Sequence, residues 1–401
     1  MDKVYYFDNN ATSRVAPEVA AEMQPFFNEL YGNPSSMHFF GGGNQKYLDL
    51  ARKRVADLLG ATPEEIIFTS CGTESDSTAI WSTIQSYPEK NHFITTKVEH
   101  PAVLNLAKHM EQKGYRVTYL PVDGAGRINL DDLKTALTPD TALVSMMWAN
   151  NETGVVYPVE EAARLAHSRG ALFHTDAVQA VGKVKINLAE TKIDLLSLSG
   201  HKLHAPKGIG ALYVRKGVRF SPFMLGGHQE RGRRAGTENV PYIVGLGKAA
   251  ELAAQNLEKE NTYVKDLRDR LEAGLLKIKN TRVNGGGAER LPNTTNISFE
   301  YIEGESILLM LSEKGICASS GSACTSGSLE PSHVLMSMGV PQTYAHGSLR
   351  LSLSVYNTQE EVDYIIKELP AIIDRLRAIS PFADGKPLFG MDACATHDHH
   401  H

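Results

Sequence analysis

The chain has 401 residues, 42% of them hydrophobic and 22% charged, a balance that suits a folded protein with a sizeable core. The formal charge of -5 is small for this length and no long basic run occurs, which argues against nucleic acid and anionic membranes as partners. No apolar stretch is long enough to cross a bilayer, and the first residues, Met1 to Tyr6, lack the apolar run of a signal peptide. With Cys71, Cys317, Cys324 and Cys394 forming no CxxC pair, the pattern predicts free thiols in a reducing cytoplasm.

In chain order, Tyr47, Leu50, Ala51, Val55, Leu58 and Leu59 fall at helical spacing and stop at Gly60. Residues 66–69, 142–146, 171–174 and 194–198 are short apolar runs that read as buried strands. Residues 158–169 between them read as a helix, with a proline in its first turn and Gly170 as its stop. This alternation predicts an α/β fold with a largely parallel sheet covered on both faces. Near residue 258 the character changes. Residues 257–279 read as a charged amphipathic helix with Val264, Leu267, Leu271, Leu275 and Ile278 on one side. A turn follows at 284–287, and then a strand at 348–355 whose leucines alternate as if half-buried. The expectation is a second, smaller α+β domain. The histidine-rich end reads as a disordered tail or a tag.

Polar clusters stand at the ends of the predicted strands, where ligands gather in open α/β sheets. Residues 70–75 form a small-residue turn opening a helix, which offers free backbone N–H groups to a phosphate but equally suits plain capping. Asp176 ends one strand; a buried carboxylate there needs a cation or several donors, though a lone acid at such a place is more often a helix cap. The next strand runs into Ser199, Gly200, His201 and Lys202. A lysine there must be exposed, paired or used covalently, and a Schiff-base lysine is one such use. His201 and His204 have a spacing that zinc could use, but no third ligand stands near, so no resident metal is expected.

At this point the sequence resembles a known family. The run SGHKLHAPKG at 199–208 is similar to the cofactor-lysine motif of cysteine desulfurases, within the class V aminotransferases. DNNAT at 8–12, GNPSS at 32–36, EHP at 99–101, NNETG at 150–154, RAGTEN at 234–239 and SSGSACT at 319–325 match in order. TSCGTES at 69–75 and GGHQER at 226–231 resemble the nitrogen-fixation (NifS-like) type. The resemblance implies a pyridoxal 5'-phosphate enzyme of transferase fold type I. Its large cofactor domain would span residues 15–257, and its small domain residues 1–14 and 258–385, with a tail at 386–401. It implies that Lys202 holds the cofactor and moves protons, that Asp176 pairs with the pyridine nitrogen and Gln179 with the ring hydroxyl, and that His100 stacks on the ring and assists proton transfer. Gly72, Thr73, Ser199 and His201 would bind phosphate, joined by Thr237 of a partner subunit in a homodimer. Asn151 (also beside the cofactor), Arg350 and Asn10 would position the carboxylate of L-cysteine.

Cys324 lies in a run of Ser, Gly, Ala and Thr with little side chain to pack, which suits a thiol that must travel. An ordinary thiol is only about 3% thiolate at neutral pH, so it needs activation. By resemblance, Cys324 takes the substrate sulfur as a persulfide. It then passes the sulfur to an iron–sulfur scaffold, NifU-like, where it would contact a nascent cluster. Cys71 and Cys317 read as small core residues, and Cys394 as a bystander in the tail. The rival readings are a selenocysteine lyase, β-lyase or aminotransferase on the same scaffold, and a non-catalytic scaffold protein.

Overall fold

The computed structural model describes residues 3–320 and 331–381. Cys324, Cys394 and the histidine-rich tail therefore lie outside the described residues. The larger sheet has seven strands in the order Ile66–Thr69, Gly210–Val214, Leu195–Ser199, Leu172–Asp176, Thr141–Ser145, His92–Thr96 and Arg116–Leu120. Gly210–Val214 runs antiparallel to both its neighbours, and the other pairings inside the sheet are parallel. All four strands read from the sequence are present, the first at 66–69 as read and the other three shifted by a residue or two at their ends.

Both faces of this sheet are buried, which is why its strands are apolar runs rather than alternating ones. Ile66, Phe68, Val144, Phe173, Leu196 and Leu198 join one core with the helices Gln45–Leu59, Val159–Ser168 and Val240–Lys259. Ile67, Phe93, Leu143, Leu195 and Leu212 point the other way, onto the helices Gly72–Ser86 and Pro101–Gln112. The helix ending at Leu59 stops where predicted, at Gly60 in the left-handed conformation (φ 62°), a shape glycine takes without steric cost. Leu50 does not join its buried face. It is 45% exposed, because the stripe at positions 48, 51, 55, 56 and 59 already covers the contact.

A second core gathers Phe7, Leu271, Phe299, Leu349, Leu351 and Ile365. It lies between the antiparallel strands Thr281–Val283, Thr294–Phe299 and Ser348–Ser352 and the helices Lys265–Leu275, Gly304–Glu313 and Gln359–Ile379. Tyr5–Tyr6 pairs with Ile316–Cys317 beside it. The amphipathic helix expected from residue 257 begins earlier, at Val240. It passes through a π turn at Glu260–Val264 and ends at Leu275. A change in surface character along one helix had read as a start. The strand at 348–355 is also different: it covers Ser348–Ser352 and is buried on both faces. Its leucines face the second core, while Arg350 lines a cleft, so polarity in the alternating positions marks a site rather than solvent.

Candidate active site

A cleft of about 300 Å³ opens at the carboxyl ends of the central strands. Of the residues named from the sequence, Asn10, Gly72, Thr73, His100, Asn151, Asp176, Gln179, Ser199, His201, Lys202 and Arg350 line it. Thr237 does not; it stands exposed on its own chain. Cys71, which reads as a core thiol, is a half-buried residue at the cleft wall, and Cys317 is half-buried too.

The wall at residues 70–73 is a helix start. Cys71 is extended, and its Sγ accepts from the Glu74 N–H at 3.5 Å. Glu74 accepts in turn from the Ser70 N–H at 2.7 Å and pairs with Arg234 at 2.8 Å, which fixes the turn. A Cβ on Gly72 would come within 2.9 Å of Val178 Cγ2 and 3.5 Å of Ser199 Cβ, so this backbone is pressed against the cleft.

Asp176 closes its strand opposite Ser197 in the next one. It is 5% exposed, and its Oδ1 accepts from the Val178 N–H at 2.9 Å. Burial pushes its pKa up, opposed by His100, that backbone donor and Lys202. Lys202 ends a short turn, Gly200–Lys202, and donates to the backbone carbonyls of Asn10 and of Ala11, the latter at 2.7 Å. His201 Nδ1 is 3.2 Å from Thr12 Oγ1, and burial, aided by Lys202 and Lys207, lowers its pKa to about 4. His204 turns to the Arg14 carbonyl at 2.9 Å, so the two histidines do not converge on a shared ligand. His100 caps the Pro101–Gln112 helix by accepting from the Ala102 N–H, and burial lowers its pKa as well.

Opposite them, Arg350 is 5% exposed and donates to Asn151 O at 3.1 Å and Asp8 Oδ1 at 2.9 Å, while its Nε has no partner among the described residues. Asn10 is held by Ser352 Oγ at 2.9 Å and Thr294 Oγ1 at 2.8 Å. Gln179 donates to Asn10 O at 3.0 Å, and its buried Oε1 has no partner among the described residues. With Asp76 Oδ1, these make three buried groups with unused hydrogen-bonding capacity in one cleft, which call for a ligand, since an unmet buried polar atom is costly. The backbone of Ser319 pairs with Arg350, and His333 Nε2 lies 3.0 Å from Glu99 O, so both flanks of segment 321–330 are tied beside the cleft. The sequence reading missed Asp76, Met147 and Ala149 in this wall. Only Asp76 carried a signal, an acid on an otherwise small-residue and apolar helix face.

A family model described as aminotransferase class-V matches residues 5–365. Cysteine desulfurase 2 of Trichormus variabilis (strain ATCC 29413 / PCC 7937) is 62% identical over 382 residues, covering 95% of this chain and 96% of the relative. Cysteine desulfurase NifS of Azotobacter vinelandii is 59% identical over 382 residues, 95% of each chain. A solved NifS-like protein superposes with a TM-score of 0.88 at 41% identity, covering 93% of this chain and all of that one. A structure of SspA in complex with cysteine gives 0.78 at 36% identity, covering 88% and 99%. The chain belongs to the cysteine desulfurases of the class-V aminotransferase family.

Proposed function

We propose that this protein is a pyridoxal-phosphate-dependent cysteine desulfurase that takes sulfur from L-cysteine, with Lys202 holding the cofactor and Cys324 receiving the sulfur. The observation that carries the reading is the cleft itself: a buried acid, a lysine, a helix start and an arginine with an unused Nε converge in it. The residues fit the cofactor. Gln179 Oε1 is a buried acceptor with no partner among the described residues, and Gly72 begins a 15-residue helix, whose leading N–H groups have no acceptor within the helix itself.

When bound, the cofactor supplies an electron sink for the pair released as the substrate's Cα–H bond breaks. Asp176 holds the ring-nitrogen proton, and Gln179 contacts the ring hydroxyl. Thr73, Ser199 and the neutral His201 donate to the phosphate with Gly72, joined by Thr237 of a second copy. Lys202 Nζ carries the proton to and from the substrate Cα. Arg350 binds the substrate carboxylate with Asn10 and Asn151, because its planar fork matches a carboxylate better than an ammonium does. His100 would stack on the ring and accept or return a proton, burial holding its pKa below the ordinary imidazole value. The Cys324 thiolate attacks the substrate sulfur; the sulfur–sulfur bond forms as the carbon–sulfur bond breaks, leaving a persulfide and, after protonation, alanine.

The same reading extends to a cytoplasmic homodimer with residue domains 15–257 and 1–14 plus 258–385. Met37, Phe39 and Leu225, exposed at 104%, 90% and 83%, are large apolar side chains that a second copy would take out of water. Transfer of the persulfide sulfur to a NifU-like iron–sulfur scaffold is supported by the small-residue composition around Cys324 and by the likeness to NifS. The test separates the two central residues. Borohydride reduction should leave a pyridoxyl group on Lys202, and Cys324→Ala should keep cofactor and bind cysteine yet release almost no sulfur. Near-normal alanine and sulfide from Cys324→Ala would place the nucleophile elsewhere.

A further inference from the structure

The cleft contains a second acid that the scheme above does not use. Asp76 sits one turn into the Gly72–Ser86 helix, is 1% exposed and lines the cleft together with Asp176. Its Oδ1 has no hydrogen-bond partner among the described residues. His174 Nε2 lies 3.6 Å from Asp76 Oδ1 and 3.0 Å from Ser197 Oγ. His174 is no counter-ion. Burial lowers its pKa to about 3, and its Nδ1 is engaged with Ser145 Oγ at 2.8 Å.

The groups that act on Asp76 are acids or neutral. Burial comes first in raising its pKa, Asp176 next; Ser197 opposes them by a hydrogen bond, and Glu99 and Cys71 add to the rise. Glu99 is itself pushed up to about 8 by burial. Asp176, by contrast, has His100, a backbone N–H and Lys202 in its favour. A buried carboxyl with no donor or cation on it keeps its proton, whereas one that accepts from a backbone N–H carries charge more readily. Asp76, with its Oδ1 unmet among the described residues, is nearer the first kind and Asp176, with Val178 N–H on its Oδ1, the second.

We propose that Asp76 is a positioning residue for the ring-nitrogen site: a second buried acid that stores one proton behind Asp176 and yields it when the cofactor ring docks there. The inference rests on the cofactor reading above. In the step, the O–H bond of Asp76 breaks and an N–H bond forms at the ring nitrogen, the proton moving within the cleft that Asp76 and Asp176 both line. Asp76 becomes a carboxylate as the ring becomes a cation, so total charge is conserved and no proton is drawn from solvent.

The experiment is a calorimetric titration of cofactor-free protein with pyridoxal phosphate, run at mildly alkaline pH in two buffers of different ionisation enthalpy. The difference between buffers counts protons. The wild type should take up about one proton per site fewer than Asp76→Asn, in which the store is absent; any proton released by Lys202 is common to both and cancels. Equal counts would overturn the proposal, and a purely structural role for Asp76 would change stability without moving the count. An independent readout is the infrared carbonyl stretch of a protonated carboxylic acid. The part of that band which Asp76→Asn removes should be present in the cofactor-free wild type and lost on cofactor binding, and its persistence would also overturn the proposal. Absence of any binding heat in the wild type would instead defeat the cofactor reading, so the two failures are distinguishable.

Discussion

Arg350→Lys offers a sharp test of substrate recognition. Arg350 spends Nη1 on Asn151 O and Nη2 on Asp8, which orients the guanidinium and leaves Nε as the unmet donor. Lysine keeps the charge but has a single nitrogen, so it cannot hold both anchors and also meet a carboxylate. A hydrogen bond to a charged group is worth about 1.5–3 kcal/mol. With 1.4 kcal/mol per tenfold, losing one such contact should raise KM for L-cysteine roughly 10- to 150-fold. The effect should fall on KM more than on kcat, because the carboxylate is bound alike before and during the chemistry. Steady-state alanine formation over a range of cysteine concentrations measures both. An unchanged KM in Arg350→Lys, in protein with a normal cofactor spectrum, would refute the assignment.

Two further predictions concern the scaffold. A Cβ at Gly247 would lie 2.5 Å from Ala51 Cα, where the Val240–Lys259 and Gln45–Leu59 helices cross, so Gly247→Ala should cost about 1–3 kcal/mol in urea unfolding; no loss would mean that the helices separate freely. Buried His174 has its pKa lowered from 6.5 to about 3. The unfolded chain therefore binds a proton that the folded chain refuses, and stability declines as pH falls from 6.5 towards 3. His174→Gln should lose some stability at neutral pH yet show a shallower acid decline, and parallel pH profiles for the two proteins would contradict this.

The strands and the main motifs were legible in the residues themselves. Apolar runs at 66–69 and 194–198 announce strands buried on both faces, and the polar endings at Asp176 and Lys202 announce a site because charge at a buried strand end needs a use. Gly60 marked a helix end for a purely local reason, its left-handed backbone. Periodicity describes one element at a time, and it failed wherever a distant element decided the outcome. The polar face of Ser348–Ser352 looked solvent-facing, but the strand crosses the cleft, and pairing with Thr294–Phe299 buries it. The helix through Glu260 looked like a new element where it only changes surroundings. Cys71 looked like core until the helix start placed it on the cleft wall. Lys202 meets the carbonyls of Asn10 and Ala11 across more than 190 residues of chain, and Asp76 meets the pressure of Asp176 from another layer. Such contacts depend on sheet register and on which faces are brought together, quantities that the order of residues encodes only through the completed fold.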